Sequence, residues 1–313
     1  MKIKKTVIRT SLLLVLISGA IISRVFAGTS IVIPSIDMSG EWDHGTITKR
    51  EAVLTDNAGA VARITINIAS AGKYQLLAYV YHNWRKASPV LYMEATDSKG
   101  HVHKGYHVLE KILYLRDETA GRWFFISLAD NPYWELPGGE LRIRIWAKGL
   151  NDPWVKAEVP MEDAVAIDRL FILPVENFSG EKYLSWLVNS ETAQGNPEIC
   201  DYYPAYGTHL IGSRKFADPA LFSLNVPYDG HYRLGFSVFA SMGSSLKFKL
   251  QNKAQGLRQD IVIKASPTWS FAISDRVYLN RGNYSFTLGS NTKKETLIDY
   301  LVLLPDAGQK DRP

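Results

Sequence analysis

The sequence predicts an all-β protein made of two tandem β-sandwich or jelly-roll domains behind an N-terminal export signal. Three observations predict it. Apolar and polar residues alternate with a period of two along most of the chain: Leu141, Ile143, Ile145 against Arg142, Arg144, Trp146, and Leu246, Phe248, Leu250 against Lys247, Lys249, Gln251. This is the period of strands with one buried and one wet face. Gly, Pro, Asn and Ser punctuate the alternation at short intervals, which favours sandwiches over helical or βαβ folds. One ordered set of short motifs also occurs twice, as in a duplicated domain.

Residues 1–27 read as a signal peptide. Lys2, Lys4, Lys5 and Arg9 form a positive start, residues 11–22 are a short apolar run, and Val25-Phe26-Ala27 offers the small or aliphatic residues a signal peptidase reads. Cleavage after Ala27 is expected, the alternative being an uncleaved N-terminal anchor. No other segment is apolar enough for a spanning helix, so no membrane span is expected in the mature chain. The expected location is the periplasm, the cell surface or the exterior.

The repeated motifs follow in order. Gly72-Lys73-Tyr74-Gln75-Leu76 matches Gly230-His231-Tyr232-Arg233-Leu234, each after an alternating strand (Ile64, Ile66, Ile68; Phe222, Leu224, Val226). Arg122-Trp123-Phe124-Phe125 matches Thr268-Trp269-Ser270-Phe271, and Leu136-Pro137-Gly138-Gly139 matches Leu279-Asn280-Arg281-Gly282. Both copies close alike, on Ile167-Asp168-Arg169-Leu170 and Ile298-Asp299-Tyr300-Leu301. The offset falls from 158 residues at Tyr74 and Tyr232 to 146 at Trp123 and Trp269 and 131 at Pro174 and Pro305, so the first copy has the longer loops.

The predicted organisation is a signal peptide at 1–27, a first sandwich at 28–176, a second at 177–306 and a tail at 307–313. Val175-Glu176-Asn177-Phe178-Ser179-Gly180 interrupts the alternation between them, and 181–189 is the best helical stretch. Each domain is expected to bury its own faces and to fold alone. Trp123 and Trp269 share a repeat position inside expected strands and read as core. Trp146 should face outward or pack under a loop, and Tyr133-Trp134 either extends the surface or caps the core. Asp168 and Asp299, kept in both copies, read as holding a loop backbone.

Charge and cysteine narrow the function. The chain has 36 Lys and Arg against 31 Asp and Glu, but residues 1–27 hold five basic residues and no acidic ones, leaving a neutral mature chain. That removes the compositional case for nucleic acid. A single cysteine, Cys200, leaves no internal disulfide, so burial must supply the core.

Glycine-x-Tyr-x-Leu entering a strand, a mid-domain Trp, a Leu-x-x-Gly turn and a terminal Ile-Asp-x-Leu strand together resemble the galactose-binding-like β-sandwich. They look most like carbohydrate-binding modules of the family 6 and family 35 type, here in two tandem copies. The resemblance implies two tandem jelly-roll β-sandwich domains with a sugar site among the loops at one edge. Carried over, it points to Asn83, Trp84 and Arg85 in the loop after the Gly-x-Tyr strand, and to Asn151, Asp152 and Trp154 before the last strand. An aromatic plane covers the C–H face of a sugar while Asn, Asp and Arg bond its hydroxyls; equally, each Trp can lid the core under a long loop. The second-copy loops, 240–245 and 290–294, hold no Trp or Tyr. The family's acidic domain start is not intact at Ile36-Asp37-Met38, so its structural calcium finds no support and no cofactor is expected.

His101 and His103, with His107 nearby, have the same-face spacing of a strand metal site, but no Cys or acidic ligand is spaced to match, and the sequence assigns no metal. No Gly-x-Ser-x-Gly, His-Glu-x-x-His or phosphate-binding glycine loop occurs, and no catalytic residue is assigned. The expected function is an exported, non-catalytic protein that recognises a polysaccharide or oligosaccharide through loops of its first domain. The alternatives are a polysaccharide lyase or glycoside hydrolase with a β-sandwich site, and a cell-surface adhesion or scaffold protein.

Overall fold

A computed structural model describes residues 28–47, 50–82, 89–109, 122–129, 133–148, 165–175, 187–189, 198–201, 209–213, 220–240, 244–252, 256–289 and 296–306. These form antiparallel strands and one 3-10 turn, Ser35–Asp37. The first half holds β1 (Ile31–Pro34), β2 (Ser39–Gly40), β3 (Asp43–Ile47), β4 (Arg50–Thr55), β5 (Val61–Ile68), β6 (Gly72–His82), β7 (Val90–Thr96), β8 (Val102–Val108), β9 (Arg122–Ser127), β10 (Trp134–Leu136), β11 (Gly139–Lys148) and β12 (Val165–Pro174). The second holds β13 (Leu187–Asn189), β14 (Glu198–Asp201), β15 (His209–Ser213), β16 (Ala220–Val226), β17 (Gly230–Ala240), β18 (Ser244–Asn252), β19 (Leu257–Ala265), β20 (Ser270–Ile273), β21 (Val277–Leu279), β22 (Gly282–Gly289) and β23 (Thr296–Pro305).

In the first half, a seven-stranded sheet (β10-β6-β12-β4-β3, with β1 on β12 and β9 on β6) faces a five-stranded sheet (β2-β5-β11-β7-β8). Leu76, Ala78 and Val80 of β6 and Ile167, Leu170 and Ile172 of β12 share a core with Leu141, Ile143 and Ile145 of β11 and Leu91 and Met93 of β7. In the second half, a seven-stranded sheet (β14-β15-β23-β17-β20, with β13 on β23 and β21 on β17) faces a four-stranded one (β16-β22-β18-β19). Tyr232, Leu234 and Phe236 of β17 pack there with Leu224, Tyr284 and Phe286. The fold is all-β and sandwich-like throughout the described residues. Among them, no helix is long and apolar enough to cross a membrane.

The repeated motifs have local physical reasons. The Gly-x-Tyr tyrosines, Tyr74 and Tyr232, donate to the carbonyls of Ser70 and Tyr228, each four residues upstream and each at 2.7 Å. Each phenol therefore pins the corner that leads into its strand, as tyrosine corners do in other sandwiches. The last residue of Leu-x-x-Gly is Gly139 or Gly282, with φ of +106° and +145°, a conformation that side chains with a Cβ rarely adopt.

The terminal motif has the largest consequence. β12 pairs with β6 as Ile167↔Val80 and then Arg169↔Tyr79, so Asp168 is skipped; β23 pairs with β17 as Ile298↔Val238 and then Tyr300↔Ser237, skipping Asp299. Both aspartates are bulge residues, and a bulge re-aims side chains. Their recurrence suggests in the sequence that they hold loop backbone; in the structure their carboxylates meet arginines, Asp168 with Arg169 and Asp299 with Arg50. Both are buried where the two seven-stranded sheets meet. There Arg50 bonds Asp299 and, at 2.8 Å, the hydroxyl of Ser237, and lies 3.8 Å from Asp168. Its guanidinium lies 4.0 Å from the Trp269 ring centroid, 5.3 Å from that of Tyr79 and 5.7 Å from that of Trp123. Tyr79 donates to Asp299, and Arg169 closes on Asp168 at 2.8 Å. Burial opposes the charge on Arg50, but Tyr79, Asp299 and Asp168 outweigh it and raise its pKa; burial and Asp299 likewise raise that of Tyr79.

Apolar packing continues across this seam. The Tyr300 ring lies 4.7 Å from those of Tyr79 and Phe125, and Phe171 meets Phe271 at 5.4 Å. One core runs from Leu77, Tyr79, Phe125 and Phe171 of the first half into the second. The expectation that each half buries its faces by itself is therefore corrected: β6 and β12 are buried on both faces because a second sheet covers their outer side. Trp123 and Trp269 are both buried, although Trp269 lies just before β20 and not inside a strand. Residues 187–189, expected to end a helix, form β13 against β23 because they pair with Val302, Leu301 and Tyr300.

Candidate functional site

The six sequence-predicted site residues, Asn83, Trp84, Arg85, Asn151, Asp152 and Trp154, lie outside the described residues. The strands that carry their loops are described. Residues 83–88 follow the end of β6 at His82 and precede β7, which starts at Val90; residues 149–164 follow the end of β11 at Lys148 and precede β12, which starts at Val165. His82 pairs with Val165, and Val90 pairs with Lys148. Antiparallel pairing therefore places both ends of one loop beside both ends of the other. A third segment, 110–121, is rooted at the same end: Leu109 donates its N–H to Pro89 at 2.8 Å, and Arg122 pairs with His82.

His82 stands at the centre of these roots, and sequence reasoning did not single it out as a site residue. It ends the long apolar run of β6 and alternates with Leu76, Ala78 and Val80, so it faces the sandwich interior. The imidazole is buried, meets Phe124 edge-on at 5.1 Å, and has no hydrogen-bond partner at Nδ1 among the described residues. Burial lowers its pKa to about 4. The neutral ring can both donate and accept a hydrogen bond.

The outer face of the five-stranded sheet supplies a second feature of the same end. Trp146 of β11 opposes Tyr92 of β7, which opposes Tyr106 of β8. The Trp146 and Tyr92 planes are 9° apart with centroids at 5.6 Å, and Tyr106 follows at 6.2 Å. Trp146 thus faces outward, one of the two placements that its alternation allows, with Ile145 and Ala147 buried on either side of it. The next row along the strands is charged: Glu94 bonds Arg144 and lies 3.9 Å from Lys104. Trp146 lies two residues before the end of β11 at Lys148, and Tyr92 lies two residues after the start of β7, so the aromatic row borders the loop roots. Rings bordered by paired charges suit a ligand with apolar C–H faces and many hydroxyls.

Other sequence candidates resolve into structural roles. Asp97 takes N–H bonds from Lys99 at 2.8 Å and His101 at 3.0 Å, and its other oxygen lies 3.2 Å from His101 Nδ1 and 3.1 Å from His103 Nε2. Burial works to raise its pKa, but the bonds from His103, His101 and Lys99 bring it down to about 2. The two imidazoles therefore serve the β7–β8 hairpin, and Trp134, buried in β10, stacks on His103 at 5.3 Å. Tyr133 is half-buried and takes Lys73 over its ring at 4.6 Å. Among the described residues, no group of three His, Cys, Asp or Glu is arranged to hold a metal ion.

No family model and no curated protein matches the chain. Solved structures similar to it include a CBM36-1 domain of a multidomain xylanase from the hindgut metagenome of Trinervitermes trinervoides, at 13% identity over 47% of this chain and 98% of that one, with a TM-score of 0.30. The C-terminal CBM6 of LamC, a laminarinase from Zobellia galactanivorans, is similar at 13% identity over 46% and 98%, with a TM-score of 0.31. The tandem CBM22-1-CBM22-2 of Xyn10C from Paenibacillus barcinonensis is similar at 8% identity over 90% and 92%, with a TM-score of 0.29. Similarity at this level leaves the site to be read from the chain's own residues.

Proposed function

We propose that this chain is an exported, non-catalytic carbohydrate-binding protein, built from two copies of one module, whose first copy recognises a polysaccharide or oligosaccharide at its loop end. The observation that carries the reading is the pairing of His82 with Val165 and of Val90 with Lys148. It supports the reading because the strand ends that flank residues 83–88, which include Asn83, Trp84 and Arg85, lie beside those that flank residues 149–164, which include Asn151, Asp152 and Trp154, and near the Trp146–Tyr92–Tyr106 row. The second half has no Trp or Tyr in its corresponding loops and serves as structural partner. A glycan-array screen of residues 28–313 tests this. Retention of one glycan class, without release of reducing ends or unsaturated products, is expected. Product release would replace the reading with a lyase or hydrolase, and an array with no retained glycan would overturn it.

A further inference from the structure

The two seven-stranded sheets that form the seam have the same build. Each centres on a long strand pair, β6 with β12 and β17 with β23, and each bulges at an aspartate. Each offers aromatic rings to the other, Tyr79, Phe125 and Phe171 from the first and Phe271 and Tyr300 from the second. Apolar packing by itself discriminates little between like and unlike faces, and the tether favours the unlike faces of one chain only through their effective concentration. Charge separates these outcomes. In the buried cluster around Arg50, the first face contributes Arg50, Arg169 and Asp168, a formal charge of +1, and the second contributes Asp299, a charge of −1; Asp306 of the second half is paired separately with Arg233. The observed pairing is neutral. Two first faces together would bury a charge of +2, and two second faces −2.

We infer that Arg50 selects which faces pair, making the seam complementary within one chain and opposing association of like faces between chains. An uncompensated buried charge costs several kcal/mol, whereas a poorly matched apolar contact costs much less. A charge therefore discriminates between partners where packing does not. Arg50 is placed for this role. Its side chain is 3% exposed, and it reaches Asp299, Ser237 and Trp269 across the seam while keeping Asp168 and Trp123 on its own side.

The test uses the full mature chain in four forms: wild type, Arg50→Met, Asp299→Leu, and the double variant. Either single change leaves the buried cluster with an uncompensated net charge, although Arg50 keeps Asp168 within 3.8 Å, and should lower the thermal midpoint on the order of 10 °C. The double variant removes both charges, leaves Asp168 and Arg169 paired, and should recover most of that loss. Each form is then refolded from denaturant and its mass measured by light scattering after size exclusion. Wild type should return as monomer and the double variant as a mixture of monomer and dimer or larger species. The inference is overturned by a double variant that refolds wholly to monomer or stays as unstable as the singles, by an unchanged midpoint in Arg50→Met, or by a wild type that itself refolds to mixtures.

Discussion

His82 shows how much a single buried side chain can reveal. An imidazole that stays neutral down to about pH 4 in the folded chain, against 6.5 for the ordinary value, gains its proton first in the unfolded chain. Stability therefore rises with pH from about 4 to 6.5 and is fully present above that window. The difference amounts to about 3 kcal/mol by linkage. Denaturant titrations at pH 7 and pH 4.5 should show wild type losing more stability on acidification than His82→Gln; equal losses would mean the ring is hydrated or partnered. Gln75 invites the opposite intervention. It is fully buried on the side of β6 that carries Leu77 and Tyr79, and neither amide atom has a partner among the described residues. Unsatisfied buried polar groups cost about 1–3 kcal/mol, so Gln75→Leu should raise the thermal midpoint. A fall would show that the amide is bonded. Neither residue stood out in the sequence, because burial and missing partners are properties of packing and not of residue type.

At the scale of elements, β6 and β12 could have been read more fully. The runs 76–81 and 165–167 with 170–173 are apolar without alternation, the pattern of strands covered on both faces. The buried seam was therefore written in those two stretches, while the outer strands alternate and were legible as such. The bulges at Asp168 and Asp299 were not, because a bulge is a matter of register between two distant strands. Close approach was equally hidden. A Cβ on Gly105 of β8 would lie 1.6 Å from the carbonyl oxygen of Leu128, a backbone atom that no rotamer change removes. Gly105→Ala should thus destabilise the β8 edge by about 2 kcal/mol or more, read as a lower midpoint together with faster hydrogen exchange across β7 and β8. An unchanged midpoint would mean that the segment after β9 is free to move off the sheet.

For the whole molecule, the seam decides cooperativity. Separating the halves would expose Leu77, Tyr79, Tyr81, Phe125, Phe171 and Leu173, each contributing about 1.5–3 kcal/mol when buried. Their sum, about 10 kcal/mol or more, is comparable with the entire stability of an ordinary domain. Scanning calorimetry of residues 28–313 should therefore give one unfolding transition, and two well-separated ones would show that the halves are independent. The sequence made the sandwich class legible because it rests on the local period of two. It did not disclose that the halves share a core, since the residues that join them, such as Arg50 and Asp299, are 249 positions apart. The Trp and Asn residues that point to the loop end in the sequence lie outside the described residues, and the structure adds that the pairing of His82 with Val165 sets the ends of their segments side by side. The most direct test of sugar recognition there is a calorimetric titration of the glycan retained on the array into wild type, Trp84→Ala and Trp154→Ala. Each substitution should weaken binding by about 1–3 kcal/mol while leaving the thermal midpoint nearly unchanged; undiminished affinity in both variants, or a midpoint that collapses with either, would contradict it.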